Sequence, residues 1–272
     1  MGVVNVTPDS FSDGGRFASP DEVDHDGAVA AGLAMVAAGA DIVDVGGETT
    51  RPGSHGVTAD VEASRVLPVV EALADAGVTV SIDTSKAEVA QAALDAGAEI
   101  VNDVTALSDP AMAKACALSD CGVVLMHMQG TPRTMQHDPR YDDVVLDVSY
   151  ALRDAAAAAV DAGVDRDRIC LDPGIGFGKA WEDNLKLLNS LDRITGLGFP
   201  VLVGASRKSF LGRVLEAAGH PAVAEKRDPA TLATVALAVA SGVAVVRVHD
   251  VAGTLQAART ADAIVRMTFP ND

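Results

Sequence analysis

The stretch DAGVTVSIDT, residues 75–84, decides the fold: a helix-forming segment ends at a glycine, a run rich in Val and Ile follows, and the run stops on a carboxylate. Gly77 suits the left-handed residue that ends a helix, and the β-branched run suits a strand buried on both faces. The same grammar recurs in AAGADIVDVGGE at 37–48, DAGAEIVNDV at 95–104, DCGVVLMH at 120–127 and ASGVAVVRVHD at 240–250. Glycines 39, 97, 122 and 242 take the same place in each. This is one helix-to-strand joint repeated around a parallel sheet.

VVNV at 3–6, ICLDPG at 169–174 and PVLVGAS at 200–206 bring the strand count to about eight, with helical patterns between them. That is the requirement of an α/β chain folded as a (β/α)8 TIM barrel. A doubly wound open sheet would give fewer strands over this length. No Pro/Gly/Ser linker interrupts the alternation, so residues 1–272 are expected to form a single domain. Irregular stretches at about 8–20, 48–60 and 128–142 all follow strand ends, where a barrel builds its active face, and two of them are expected to act as lids.

Hydrophobic residues make up 49% of the chain and aromatics only 3%, so the core must be aliphatic. A formal charge of −17 argues against nucleic acid and anionic membranes as partners, and an anionic ligand would need a local basic pocket. Cys116, Cys121 and Cys170 lack CxxC spacing and read as buried reduced thiols. No apolar run approaches the roughly 20 residues of a membrane span, and MGVVNVTPDSF has no basic leader or cleavage pattern, so a cytoplasmic location is expected.

Polar residues stand at successive strand ends: Asn5, Asp44 with Glu48, Asp83, Asn102, His127, Asp172, Ser206 with Lys208, and Arg247 with His249. Any one of them could merely cap a helix or shape a turn. Convergence on one barrel mouth is what points to function. Asp83, Asn102 and Asp172 complement a flat heterocycle that displays amino, ring NH and carbonyl groups. The competing reading makes Asp83 and Asp172 an acid/base pair, as in glycoside cleavage.

GASRKSF at 204–210 brings Arg207 and Lys208 to the end of strand seven, and VRVHDV at 246–251 brings Arg247 and His249 to the end of strand eight. Loops seven and eight are where many barrels bind phosphate. Arg51 is available from the second loop. LDPGIGFGK at 171–179 matches neither nucleotide-loop pattern, and its glycines are expected to let the chain turn close under a ligand. The amide oxygen of Asn5 could hold a Mg2+ bound mainly by phosphate oxygens. His25, His55, His137 and His220 receive no role, and Trp181 reads as packing.

Taken together, NVTPDSFSDGG, GETTRPG, SIDTSK, VNDV, LMHMQGTP, LDPGIGFGK, GASRKSF and VRVHDV, in this order, resemble the dihydropteroate synthase family from residue 2 to about residue 260. The resemblance implies a Mg2+-assisted transferase of folate synthesis. It would condense 6-hydroxymethyl-7,8-dihydropterin diphosphate with 4-aminobenzoate, giving 7,8-dihydropteroate and diphosphate. By the same resemblance Asp83, Asn102, Asp172 and Lys208 contact the pterin, with Met126, Phe177 and Gly204 shaping its slot. Asn5, Arg247 and His249 hold the diphosphate and the metal. Thr50, Arg51 and Ser206, with Pro52 behind them, form the aminobenzoate site, and Phe11 and Asp13 come down from the first loop. Catalysis would then rest on Asp13, Asp83, Lys208, Arg247 and His249.

The resemblance also implies competition by sulfonamides and a homodimer formed through helices away from the mouth. Members of the family usually begin several residues earlier, so the first strand is expected to be weakly anchored. Two alternatives share the barrel: a pterin-dependent methyltransferase, not expected to carry the SRK and RVHD cations with TRPG, and a non-catalytic paralogue.

Overall fold

The computed structural model describes residues 1–7, 23–49 and 56–267. Among these, eight strands alternate with helices. The first half runs β1 (Gly2–Asn5), α1 (His25–Ala37), β2 (Val43–Gly46), α2 (Ala59–Asp75), β3 (Val80–Asp83), α3 (Ala87–Asp95), β4 (Ile100–Asp103) and α4 (Pro110–Ser119). The second runs β5 (Gly122–Met126), α5 (Val144–Asp161), β6 (Ile169–Asp172), α6 (Trp181–Asn189), α7 (Leu191–Thr195), β7 (Leu202–Val203), α8 (Ser209–Ala217), α9 (Asp228–Ala240), β8 (Val245–Val246) and α10 (Val251–Arg266).

Strands β1 to β6 form a parallel sheet in chain order, and β7 pairs with β8 in parallel. Parallel bridges join Leu171 to Val201 and Gly2 to Val248, which close the ring between β6 and β7 and between β8 and β1. The (β/α)8 barrel is therefore the fold. The first strand is held firmly: the Met1 amino group donates to Val246 O at 3.0 Å and Val248 N donates to Met1 O at 3.0 Å. The expected weak anchoring is not met.

The repeated joint has a common geometry. Gly39, Gly77, Gly97 and Gly242 have φ between +78° and +102°, as does Gly163, which follows α5. At each, the next residue's N–H reaches back five positions to the helix: Ala40 to Met35, Val78 to Leu73, Ala98 to Ala93, Val164 to Ala159 and Val243 to Ala238, at 2.9–3.1 Å. This closes the helix and launches the strand in one step. Gly122 departs from the expectation. The left-handed residue after α4 is Asp120, φ 57°, and Gly122 is already the first residue of β5.

Several helix starts are set by side chains. Asp24 accepts from Gly27 N, Asp109 from Ala111 N, Asp143 from Val145 N and Leu146 N, and Asp250 from Gly253 N. Apolar residues on the outer faces of the strands, such as Val45, Ile82, Val101, Leu125 and Leu171, pack with Leu73, Met112, Leu152 and Leu187 from the helices in one continuous cluster. Phe210 is the one aromatic among the buried described residues, as the composition anticipates. Trp181, read as packing, is 36% exposed, and Cys170 is only partly buried.

The stretch at 128–142 is a turn tied by its own amide: Gln129 Nε2 donates to Arg140 O and Arg140 N to Gln129 Oε1, both at 2.9 Å. Residues 8–22 and 50–55 of the other two irregular stretches lie outside the described residues. No helix among the described residues is long and apolar enough to cross a membrane.

A Cβ at Gly97 would lie 2.7 Å from Ala74 Cβ on a backbone of positive φ, whereas one at Gly122 would meet nothing closer than 3.4 Å. Gly97→Ala should therefore lower unfolding stability in urea by about 1 kcal/mol or more, and Gly122→Ala by less than about 0.5 kcal/mol. Equal losses at the two sites would contradict the joint geometry.

Candidate active site

Register brings the polar strand ends to one level. Asn5 lies beside Gly46, Gly46 beside Asp83, Asp83 beside Asn102, and Met126 beside Asp172. Alternation along a strand then turns Asp44, Ser81, Asp83, Asn102 and Asp172 to the inside of the ring. Arg247, from just beyond β8, meets them there. Its Nε donates to Asp44 Oδ2 at 2.6 Å and its Nη2 to Asp83 Oδ2 at 2.8 Å. Asn102 Nδ2 donates to the same Asp44 oxygen at 3.2 Å, which directs the amide carbonyl away from Asp44.

Burial opposes every charge in this layer. It would lower the guanidinium of Arg247, but the carboxylates of Asp44 and Asp83 outweigh it and hold the group firmly protonated. For Asp83 burial wins: the carboxyl is pushed up to about 7 against the pull of Arg247, with Asp44 and Glu62 adding repulsion. Asp172 is also raised by burial, opposed by the bond from Gly174 N at 2.7 Å. Two carboxyls with raised affinity for protons therefore face a slot next to a fixed cation.

The far side of the slot is built by the turn after β6 and the start of α8. Lys208 precedes α8, and its ammonium sits 3.9 Å from the centroid of the Phe177 ring. Burial, then the charge of Arg247, pulls the Lys208 amine down to about 8. Gly176 is where its stem passes: a Cβ there would lie 2.9 Å from Lys208 Cδ. The other two glycines of the turn do not face a ligand as expected. A Cβ at Gly174 would run into His127 O, and one at Gly178 into Gln129 O, so both serve close packing on the chain after β5.

At the end of β7, Ser206 Oγ lies 2.9 Å from His249 Nδ1 and accepts from His249 N at 3.3 Å. The pair is closed in either tautomer, since the hydroxyl can donate to Nδ1 or accept from it. Burial and then Arg247 hold this imidazole down at about 3, so it is neutral. Gly204 lies beside Arg247, and Met126 is buried at the end of β5.

Arg207, read as a cation of the mouth, instead forks onto Asp228 through Nε at 2.7 Å and Nη2 at 2.9 Å. Its backbone is left-handed, with φ 57°, and its charge is still felt by His249. Phe11, Asp13, Thr50, Arg51 and Pro52 lie outside the described residues. The ends of the second loop are tied, since Lys86 Nζ donates to both Glu48 and Glu62, and Glu48 Oε2 also accepts from Val57 N at 3.4 Å.

For a metal, the described residues contain no group of three His, Cys, Asp or Glu able to hold an ion. The donor nearby is Asn5: a Cβ on Gly46 would lie 3.8 Å from both Asn5 Oδ1 and Asp83 Oδ2, so Gly46 leaves these oxygens facing one space. One amide oxygen fits Mg2+ bound chiefly by phosphate and water, and does not fit an ion needing a protein cage.

Two participants went unassigned in the sequence. Asp44, fully buried, is the shared acceptor of Arg247 and Asn102; a carboxylate inside an otherwise apolar strand was its signal. Lys179, 2% exposed, closes the glycine turn, and only its place at the end of the motif hinted at it.

The sequence pattern of the pterin binding enzyme family matches residues 1–249. A Mycobacterium leprae dihydropteroate synthase is 48% identical over 97% of this chain and 92% of its own length. The Bacillus subtilis dihydropteroate synthase is 44% identical over 97% and 88%. Among solved structures, Yersinia pestis dihydropteroate synthase in a sulfonamide drug complex superposes with a TM-score of 0.91 at 40% identity, covering 98% of this chain and 94% of that one. The Xanthomonas albilineans enzyme in complex with 7,8-dihydropteroate gives 0.84 at 42% identity, covering 99% and 94%. With likeness of this extent in sequence and in fold, this chain belongs to the dihydropteroate synthase family of pterin-binding enzymes.

Proposed function

We propose that the barrel mouth joins 6-hydroxymethyl-7,8-dihydropterin diphosphate to 4-aminobenzoate, with release of diphosphate. The observation that carries this reading is the division of the mouth. Acceptors Asp83, Asn102 and Asp172 stand on β3, β4 and β6, while Lys208, Arg247 and His249 stand just beyond β7 and β8. A guanidine-like pterin edge suits the first set and a diphosphate the second. The Xanthomonas albilineans relative has been solved with 4-aminobenzoic acid and with 7,8-dihydropteroate, which supports the same pair of ligands here.

In this reading the C–O bond to diphosphate breaks first, the pterin methylene carries the positive charge, and the amine nitrogen forms the new C–N bond and then loses a proton. Arg247 and Lys208 stabilise the departing charge, and the neutral imidazole of His249 stands beside them. Asp83 exchanges its bond from Arg247 for the pterin edge and lies near the developing cation, with Asp13 its companion from the first loop. Mg2+ held by Asn5 would supply further neutralisation of the diphosphate. Met126, Phe177 and Gly204 shape the slot, and Phe11, Thr50, Arg51, Pro52 and Ser206 form the aminobenzoate end. An aryl amine is unprotonated at neutral pH, so positioning supplies much of the rate.

The same reading takes residues 1–272 as one domain, supported by a core cluster continuous from β1 to α9. It takes the protein as a homodimer, for which the adjoining helices α9 and α10 offer exposed Leu237, Ile264 and Val265. Three free cysteines suit a cytoplasmic setting.

Mixing purified protein with the pterin diphosphate, Mg2+ and 4-aminobenzoate should release diphosphate in an amine-dependent manner. A folded sample that binds the pterin yet shows no such turnover would be a binding protein and not a synthase. Lys208→Ala should keep its melting temperature within a few degrees and lose at least about tenfold in affinity for the pterin diphosphate.

Ionised Asp83 is the better acceptor for a donor edge, and its carboxyl sits at about 7 in the free protein. Affinity for 6-hydroxymethyl-7,8-dihydropterin, without diphosphate or metal, should therefore fall as pH is lowered through 7. Asp83→Asn should weaken binding and flatten that dependence; an unchanged slope in the variant would assign the titration elsewhere.

A further inference from the structure

The turn between β6 and α6 contains a buried cation that the proposed reaction does not use. The ammonium of Lys179 meets Phe177 O at 2.8 Å, His127 Nδ1 at 3.0 Å and His127 O at 3.2 Å. An ammonium has three donors and no acceptor, so these atoms match it fully. Burial, then the charge of Lys179, holds the His127 imidazole down at about 3, so the ring is neutral, and toward an ammonium Nδ1 acts as acceptor. Burial also pulls the Lys179 amine down to about 7. An apolar side chain of similar volume would avoid this desolvation, so packing alone does not explain a lysine here.

What the lysine holds explains it better. Phe177 is the outward residue of a turn in which Gly174, Gly176 and Gly178 all have positive φ. The backbone on both sides is tied: Gly176 N to Asn184 Oδ1 at 2.6 Å, Gly176 O to Gln136 Nε2 at 3.2 Å, and Gly178 O to the Tyr141 hydroxyl at 2.6 Å. The carbonyl of Phe177 itself is taken by Lys179, which bridges it to the chain leaving β5. The Phe177 ring, in turn, carries the Lys208 ammonium at 3.9 Å. Lys179 thus reaches Lys208 through one aromatic residue, while its charge is also felt by Asp172 and by Lys208 itself.

We infer that Lys179 is a positioning residue that sets the pterin slot by fixing Phe177 beneath Lys208, a role that rests on the proposed reading of the mouth. The test compares wild type, Lys179→Met, Phe177→Leu and the double variant. It measures calorimetric binding of the pterin diphosphate with Mg2+, steady-state KM for each substrate, and thermal unfolding. Lys179→Met should bind the pterin diphosphate about tenfold more weakly while its KM for 4-aminobenzoate stays within about twofold. The double variant should be no worse than the weaker single, because both act through the same ring.

Wild-type affinity in Lys179→Met, or losses that simply add in the double variant, would overturn the inference. If Lys179→Met does not fold, Lys179→Gln is measured in its place. Its shorter stem cannot span all three acceptors, so it should lose at least about threefold, and wild-type affinity there would equally overturn the role. Failure of the wild-type protein to bind the pterin diphosphate would instead count against the reading of the mouth.

Discussion

A guanidinium held between two carboxylates inside a closed ring of strands is the interaction on which the upper layer of this barrel depends. Asp44 has no exposed surface, and Arg247 comes to it from the opposite end of the chain. Removing one partner of such a pair strands the other in a medium that solvates it poorly, at a cost of about 3–5 kcal/mol. Asp44 also takes the amide of Asn102, so one carboxylate orients both a guanidinium and an amide at the mouth. The polar interior is tolerable because it is concentrated at one end, while the outer faces of the same strands carry the aliphatic core.

The chemistry of the mouth follows from burial as much as from residue type. Asp83 and Asp172 bind protons more tightly than free carboxyls, Lys208 binds its proton less tightly than a free amine, and His249 is neutral. Each group is held short of its preferred charge, so a ligand bringing the complementary charge is rewarded more than it would be in water. The site is accordingly suited to a substrate with both a donor-rich ring and a multiply charged tail.

The barrel was legible because the joint is local: a glycine, five residues of helix before it and a β-branched run after it. Gly122 misled because the left-handed position had moved to Asp120, and a Cys-Gly pair after an aspartate looks the same on paper as an Ala-Gly joint. The arc of Asp83, Asn102 and Asp172 was legible from strand ends, since parallel register forces them to one rim. Their partners were not, because Arg247 reaches Asp44 and Asp83 across 203 and 164 residues. Arg207 and Lys208 are neighbours with the same charge, and nothing in the motif tells the one that pairs with Asp228 from the one that lies over the Phe177 ring. Lys179 was hidden for a similar reason, as nothing in a glycine-rich motif reveals that its terminal lysine points inward.

The chain has one tryptophan, Trp181, and it opens α6 two residues after Lys179, with 36% of its surface exposed. With two tyrosines in the chain beside it, its emission is almost uncontaminated. The protein thus carries an intrinsic optical probe four residues beyond Phe177, at the end of the turn after β6, where local structure can be followed by ultraviolet emission without attaching a label.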